Sequence, residues 1–190
     1  MKLPRTLILF LALEAIISSF CLLVYVAVQQ SYRTNADDPQ IQIARDLKMK
    51  YSKSGLDSLS DVKDKIEISS SSISPFYVIY DENAKPVSSN ALLYNNMPQL
   101  PTGVFRAAKE NGENKISWQP APGLRFATVI VHVSGKFNGY ILSGRSLLET
   151  EKRIENLTLM AGLAWLFTSA VVLTLVLIYS KIKEGIKKEK

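Results

Sequence analysis

One cysteine and one histidine among 190 residues remove most of the chemistry a chain of this size could carry. Cys21 lies inside an apolar run, so the remainder has no thiol for a disulfide, a nucleophile or a zinc site. A lone His132 excludes multi-histidine metal sites and leaves at most one imidazole base. Glycine-rich phosphate loops and the Gly-x-Ser-x-Gly elbow are also missing. The expectation is no catalytic residue, no metal, no cofactor and no enzyme. For His132 two readings stand: a strand-end side chain facing solvent or a partner, and a ligand contact or proton sensor. Charge excludes a further class. The formal +6 is concentrated at the two ends of the chain, because residues 29–156 hold 16 basic and 14 acidic side chains. A nucleic-acid partner is not needed to explain such a distribution.

What is abundant is apolar sequence in two blocks. Leu7 to Val28 contains one charge, Glu14, and Leu157 to Tyr179 contains none. A bilayer core of ~30 Å needs ~20 helical residues, so each block predicts a transmembrane helix. Lys2 and Arg5 precede the first, and Lys181, Lys183, Lys187, Lys188 and Lys190 follow the second. Basic flanks favour the cytoplasmic side. The expected layout is a cytoplasmic N-terminus (1–6), a first span (7–28), an extracytoplasmic domain (29–156), a second span (157–179) and a basic cytoplasmic tail (180–190). A cleaved signal peptide is the alternative for the first block. Its apolar region exceeds the usual length, and Ala27-Val28-Gln29 is a poor cleavage site.

Glu14 is the one intramembrane carboxylate, about 10 Å into the hydrocarbon by helical rise. Such a group marks a buried partner or a functional pathway. The expected partner is an interhelical hydrogen bond, with Thr174 at similar depth, or a group on another protein. A proton or ion path would need a relay, and none is visible.

The central segment is organised around 126–154. Phe126 to Val133, a turn at Ser134-Gly135-Lys136, and Phe137 to Gly144 read as two antiparallel strands. Ser146 with Glu149 three residues on reads as a capping box opening a helix that meets no stop signal before the second span. Upstream, Asp38 as N-cap and Pro39 at the first position predict a helix over Pro39 to Lys53, ended by Gly55. Leu56 to Ile68 is a short helix or loop, and Ser69 to Ser72 a surface connection. Phe76 to Tyr80 and Lys85 to Ser89 form a hairpin; Thr102 to Asn111, closed by Gly112, is a helix; Lys115 to Trp118 is a short strand before a rigid turn at Gln119 to Gly123. The expected fold is α+β: five antiparallel strands with helices gathered on one face.

These features resemble the PAS-like extracytoplasmic sensor domains, also called Cache or PDC domains, of two-span prokaryotic receptors. The resemblance covers roughly Asn35 to Glu155. It rests on the long helix after the first span, the Phe76 to Ser89 hairpin, the Trp118-Gln119-Pro120-Ala121-Pro122-Gly123 turn, and the strand-to-helix passage Gly144-Arg145-Ser146-Leu147. It implies a small-molecule ligand held between sheet and helices. Relatives of this kind continue into an output domain, so the expected signal passes to a separate partner protein.

Tyr77, Tyr80, Trp118, Arg125 and Tyr140 lie on or beside the strands and form the candidate ligand set. Aromatics would wall a pocket or cage a cation, and Arg125 would hold a carboxylate. Each also has a plain reading as core, surface cover or solvated charge. Arg145, Ser146 and Glu149 sit where sheet becomes helix and are the candidates for signal coupling. Leu147, Ile154, Thr158 and Ala161 along the exit helix raise the expectation of a juxtamembrane homodimer. The leading functional expectation is a membrane-anchored sensor. Its rival is a scaffold or assembly subunit of the cell envelope with a filled core and no ligand.

Overall fold

The computed structural model describes residues 4–58, 65–69 and 74–188, with only the backbone given for 57, 58, 184 and 186–188. The expected connection at Ser69 to Ser72 and much of the Leu56 to Ile68 stretch fall largely outside the described residues. The chain divides into two compact units, one from 1–32 with 153–190 and one from 33–152. Two long helices, α1 (Arg5–Ser54) and α3 (Leu148–Lys188), each contribute to both units.

The 33–152 unit is built on a five-stranded antiparallel sheet. In chain order its elements are β1 (Ile66–Glu67), β2 (Phe76–Asp81), β3 (Pro86–Ser89), β4 (Ala91–Leu92), α2 (Thr102–Asn111), β5 (Glu113–Ala121), β6 (Leu124–Val133) and β7 (Gly139–Ser146). The main sheet runs β3-β2-β7-β6-β5. β1 and β4 make a small parallel pair apart from it, which the sequence pattern does not reveal. The class is α+β, as expected.

The helices do not gather on one face. Alternate strand residues point to opposite sides, and both sides are covered. Phe76, Val78, Tyr80, Phe126, Ile130, Tyr140 and Leu142 pack with Phe105 and Ala108 of α2. Ile79, Val129, Val131, Val133 and Ile141 pack with Ala44 and Tyr51 of α1. Double coverage explains why β6 and β7 read as unbroken apolar runs: strands buried on both faces have no polar side to show.

That second face also overturns the expected helix start at Asp38. α1 runs through Pro39 without interruption. A proline inside a helix removes one backbone rung and costs ~3 kcal/mol. Packing of the following turns against the sheet, with Gln40 and Ala44 fully buried, offsets that local preference. The end of α1 is tied down by the β6–β7 turn, where the Lys136 N–H donates to the Ser52 carbonyl at 3.0 Å. Gly135 permits the approach: a Cβ there would stand 2.7 Å from that same carbonyl oxygen.

At the other end of β7 the strand outlasts its expected limit. Arg145 and Ser146 still pair with Ala127 and Phe126, and α3 begins only at Leu148. The Ser146 hydroxyl accepts from the Leu148 N–H at 3.2 Å, while Glu149 turns to Arg145, so the reciprocal capping box does not form. Neighbouring ladder bonds hold Ser146 extended against β6, and the strand wins over the cap. β5 is longer than expected, and the turn into β6 tightens to Pro122-Gly123, with Gly123 at φ 77°.

In the other unit, α1 and α3 supply two apolar helical segments long enough to cross a bilayer. None of the apolar window of α1 and 6% of that of α3 is buried, unlike the core helix of a soluble protein. The chain is therefore a sheet domain flanked by two candidate membrane-spanning helices.

Candidate functional site

The α2 face of the sheet carries two chains of aromatic rings. Trp118, Phe126 and Phe76 follow one another with centroids 5.6 and 5.5 Å apart. Tyr80, Phe105 and Tyr140 follow at 4.8 and 5.2 Å, and His132 lies 5.4 Å beyond Tyr140. The Phe76–Phe126, Tyr80–Phe105 and Phe105–Tyr140 contacts are edge-on, an arrangement favourable beyond the area it buries. Gly144 makes room for the first chain, since a Cβ there would sit 2.5 Å from the Phe76 ring. The Tyr80 hydroxyl donates to the Pro98 carbonyl at 2.7 Å, and burial drives its pKa well above the ordinary phenol value. His132 is half-buried; burial first, then Lys109 and Lys48, lowers its pKa, and Glu82 works the other way.

The α1 face holds a buried polar contact beside its apolar cluster. The Ser143 hydroxyl donates to the Gln40 side-chain oxygen at 2.7 Å, and both residues are fully buried. The amide nitrogen of Gln40 has no partner among the described residues. A buried orphan donor of this kind costs ~1 to 3 kcal/mol.

Where β7 gives way to α3, several contacts converge. The Leu147 N–H donates to the Arg125 carbonyl at 2.9 Å, and the Glu151 N–H to the Leu147 carbonyl at 2.8 Å. The guanidinium of Arg125 pairs with Glu151 and that of Arg145 with Glu149 at 3.1 Å. Each exposed ion pair is worth only ~0.2 to 1 kcal/mol. The Arg125 pair and the backbone bond fix the first turn of α3 to the start of β6, and the Arg145 pair fixes it to the end of β7.

The sequence-derived candidates are therefore split. Tyr80, Trp118 and Tyr140 share the α2-side core; Tyr77 lies on the opposite face, packed against the α1-side cluster. Arg125 stands at the sheet-to-helix joint rather than beside the aromatics. It joins Arg145, Ser146 and Glu149, which the sequence had already placed there. Gln40, Ser143 and Glu151 carry no local signal of their roles, because their partners lie 103 and 26 residues away.

In the unit of the two long helices, one Glu14 carboxylate oxygen accepts from the Ser169 hydroxyl at 2.9 Å, and the other is buried with no partner among the described residues. The interhelical bond is present, but with Ser169; Thr174 turns to its own helix, donating to the Ala170 carbonyl. Counting depth from the ends of apolar runs misplaces the register, since packing decides where two helices face each other. Among the described residues no cluster of acidic, histidine or cysteine side chains could hold a metal ion. No protein-family model, no curated protein and no solved structure matches the chain.

Proposed function

We propose that the chain is a membrane-anchored sensor: a PAS/Cache-like domain outside the cell, with both termini in the cytoplasm, that binds a small molecule and signals through its helices to a partner protein. One observation carries this reading. The last strand of the sheet passes into α3 through a joint held by Arg125–Glu151, Arg145–Glu149 and the Leu147 backbone bond. Any change where β6 starts and β7 finishes acts directly on the first turn of a helix that is long and apolar enough to enter the membrane. Basic residues at both chain ends support the orientation.

A second reading is favoured by the packing. Tyr80, Trp118 and Tyr140 are core residues, as a filled domain serving as an envelope scaffold would have them. Thermal-shift screening of residues 33–152 against small carboxylates and quaternary ammonium compounds separates the two. A saturable rise in Tm that survives two glycines inserted after Lys152 in the full chain, while output through the partner is lost, is the sensor's result. No shift with any compound, together with envelope proteins co-purifying with the full chain, is the scaffold's. Reporter fusions at the two termini and in the central domain test the orientation, and equal readouts would reject it.

A further inference from the structure

Among the described residues, a set of polar contacts joins α1 and α3 within the unit of the two long helices. The Tyr25 hydroxyl meets the Thr158 hydroxyl at 3.0 Å, the Trp165 indole N–H donates to the Ser18 hydroxyl at 2.9 Å, and the Ser169 hydroxyl donates to Glu14 at 2.9 Å. Their spacing is matched: steps of seven and four residues back along α1 from Tyr25 meet steps of seven and four forward along α3 from Thr158. Steps of seven and four return to one face of a helix. The contacts therefore form a single straight seam between two antiparallel helices.

We propose that this seam is a register lock, which selects one alignment of the two spans and prevents either from sliding along the other. Apolar side chains in lipid pack against one another with little preference between neighbouring registers, and no hydrophobic force distinguishes them. The polar rungs do distinguish them. A slip of seven residues one way sets Glu14 against Val176, Ser18 against Val172 and Tyr25 against Trp165. The Glu14 and Ser18 rungs then have apolar partners. A slip the other way sets Glu14 against Gly162, which has no side chain to donate. A carboxyl group without a partner in hydrocarbon is expensive, so Glu14 is the rung that most strongly opposes both slips. The lock stands on the helix pair alone. Its consequence, that a signal leaves as movement of both spans together, rests on the sensory reading.

The same register predicts a rung that holds no hydrogen bond. Three residues on from Ser18 and three back from Trp165 are Cys21 and Gly162. Cys21 is a free thiol, and a Cβ at Gly162 would meet no atom within 4 Å, so a cysteine fits there without strain. The test is thiol cross-linking of full-length protein in membranes with a short bifunctional methanethiosulfonate. Gly162→Cys is compared with Glu155→Cys, one heptad to one side and outside the three rungs, and with Leu159→Cys on the exposed surface of α3. The expected result is a maximum at 162 against native Cys21. Each interhelical bond contributes about a threefold preference in lipid, so the Glu14 and Ser18 rungs lost in the first slip give roughly ninefold and the Glu14 rung lost in the second about threefold.

In a chain carrying Glu14→Leu, Ser18→Ala and Tyr25→Phe, that contrast should collapse. These changes make the span more apolar, so insertion is preserved. No maximum at 162 in the parent would overturn the register. An undiminished maximum in the triple variant would overturn the role of the polar rungs. Both outcomes are independent of whether the domain binds a ligand.

Discussion

Replacing Gln40 and Ser143 together by Met and Ala should stabilise the 33–152 unit, although it deletes a 2.7 Å hydrogen bond between fully buried groups. The bond itself contributes ~0.5 to 1.5 kcal/mol net, whereas the orphan amide nitrogen costs ~1 to 3 kcal/mol. Removing both groups therefore yields a net gain of ~0 to 2 kcal/mol, with Met filling much of the volume of Gln. Ser143→Ala alone should instead cost ~1 to 3 kcal/mol, since it leaves both ends of the amide unpaired. Gln40→Met alone should be near neutral: it removes the orphan but strands the serine hydroxyl. Urea unfolding followed by Trp118 fluorescence reads all four proteins, because the second tryptophan, Trp165, lies outside this unit. With slopes of ~1 to 3 kcal/mol/M, the double variant's midpoint should rise by up to ~2 M with an unchanged slope. A double variant destabilised by more than ~1 kcal/mol would refute the reasoning. The amide nitrogen would then have a partner in solution, a water or a ligand held between α1 and the sheet.

Four further outcomes follow from the packing. Trp118→Ala should cost ~3 to 5 kcal/mol in the same urea assay, since the ring is core and stacks beside Phe126. Gly144→Ala should cost ~1 to 3 kcal/mol by forcing a methyl into the Phe76 ring, and Phe76→Leu in the same chain should restore part of the loss. Burial with Lys109 and Lys48 nearby lowers the His132 pKa from 6.5, so its contribution to stability is present above that value and lost as pH falls through the folded value. His132→Gln should therefore flatten the stability profile between pH of about 7 and about 5. In the membrane unit, Glu14→Gln should keep helix association near that of the parent while Glu14→Leu weakens it by ~0.6 to 2 kcal/mol, measured by helix-association reporter assay. Equal losses in the two variants would refute the hydrogen-bond role of Glu14.

The element pattern was legible because it follows from local rules. Two long apolar runs mark helices long enough to cross a membrane, the Phe76 to Ser89 hairpin is marked by its turn residues, and α2 is bounded by Pro101 and Gly112 where the sequence places its ends. Local rules failed wherever a distant surface intervened. Pro39 reads as a helix start, but the sheet beneath Gln40 and Ala44 carries α1 straight through it. Ser146 reads as a helix cap, but pairing with Phe126 keeps it in the strand. The candidate site divides in the same way. Arg145 and Glu149 could be paired from their i, i+4 spacing, while Arg125 found Glu151 only because β6 and β7 bring the two together. Glu14 announced an interhelical bond by its charge in an apolar run; which side chain answers it, Ser169 rather than Thr174, was decided by how the two helices pack. A sequence determines what each segment prefers and which groups need partners. Only the tertiary structure chooses the partner, because burial and register depend on surfaces contributed by residues far along the chain.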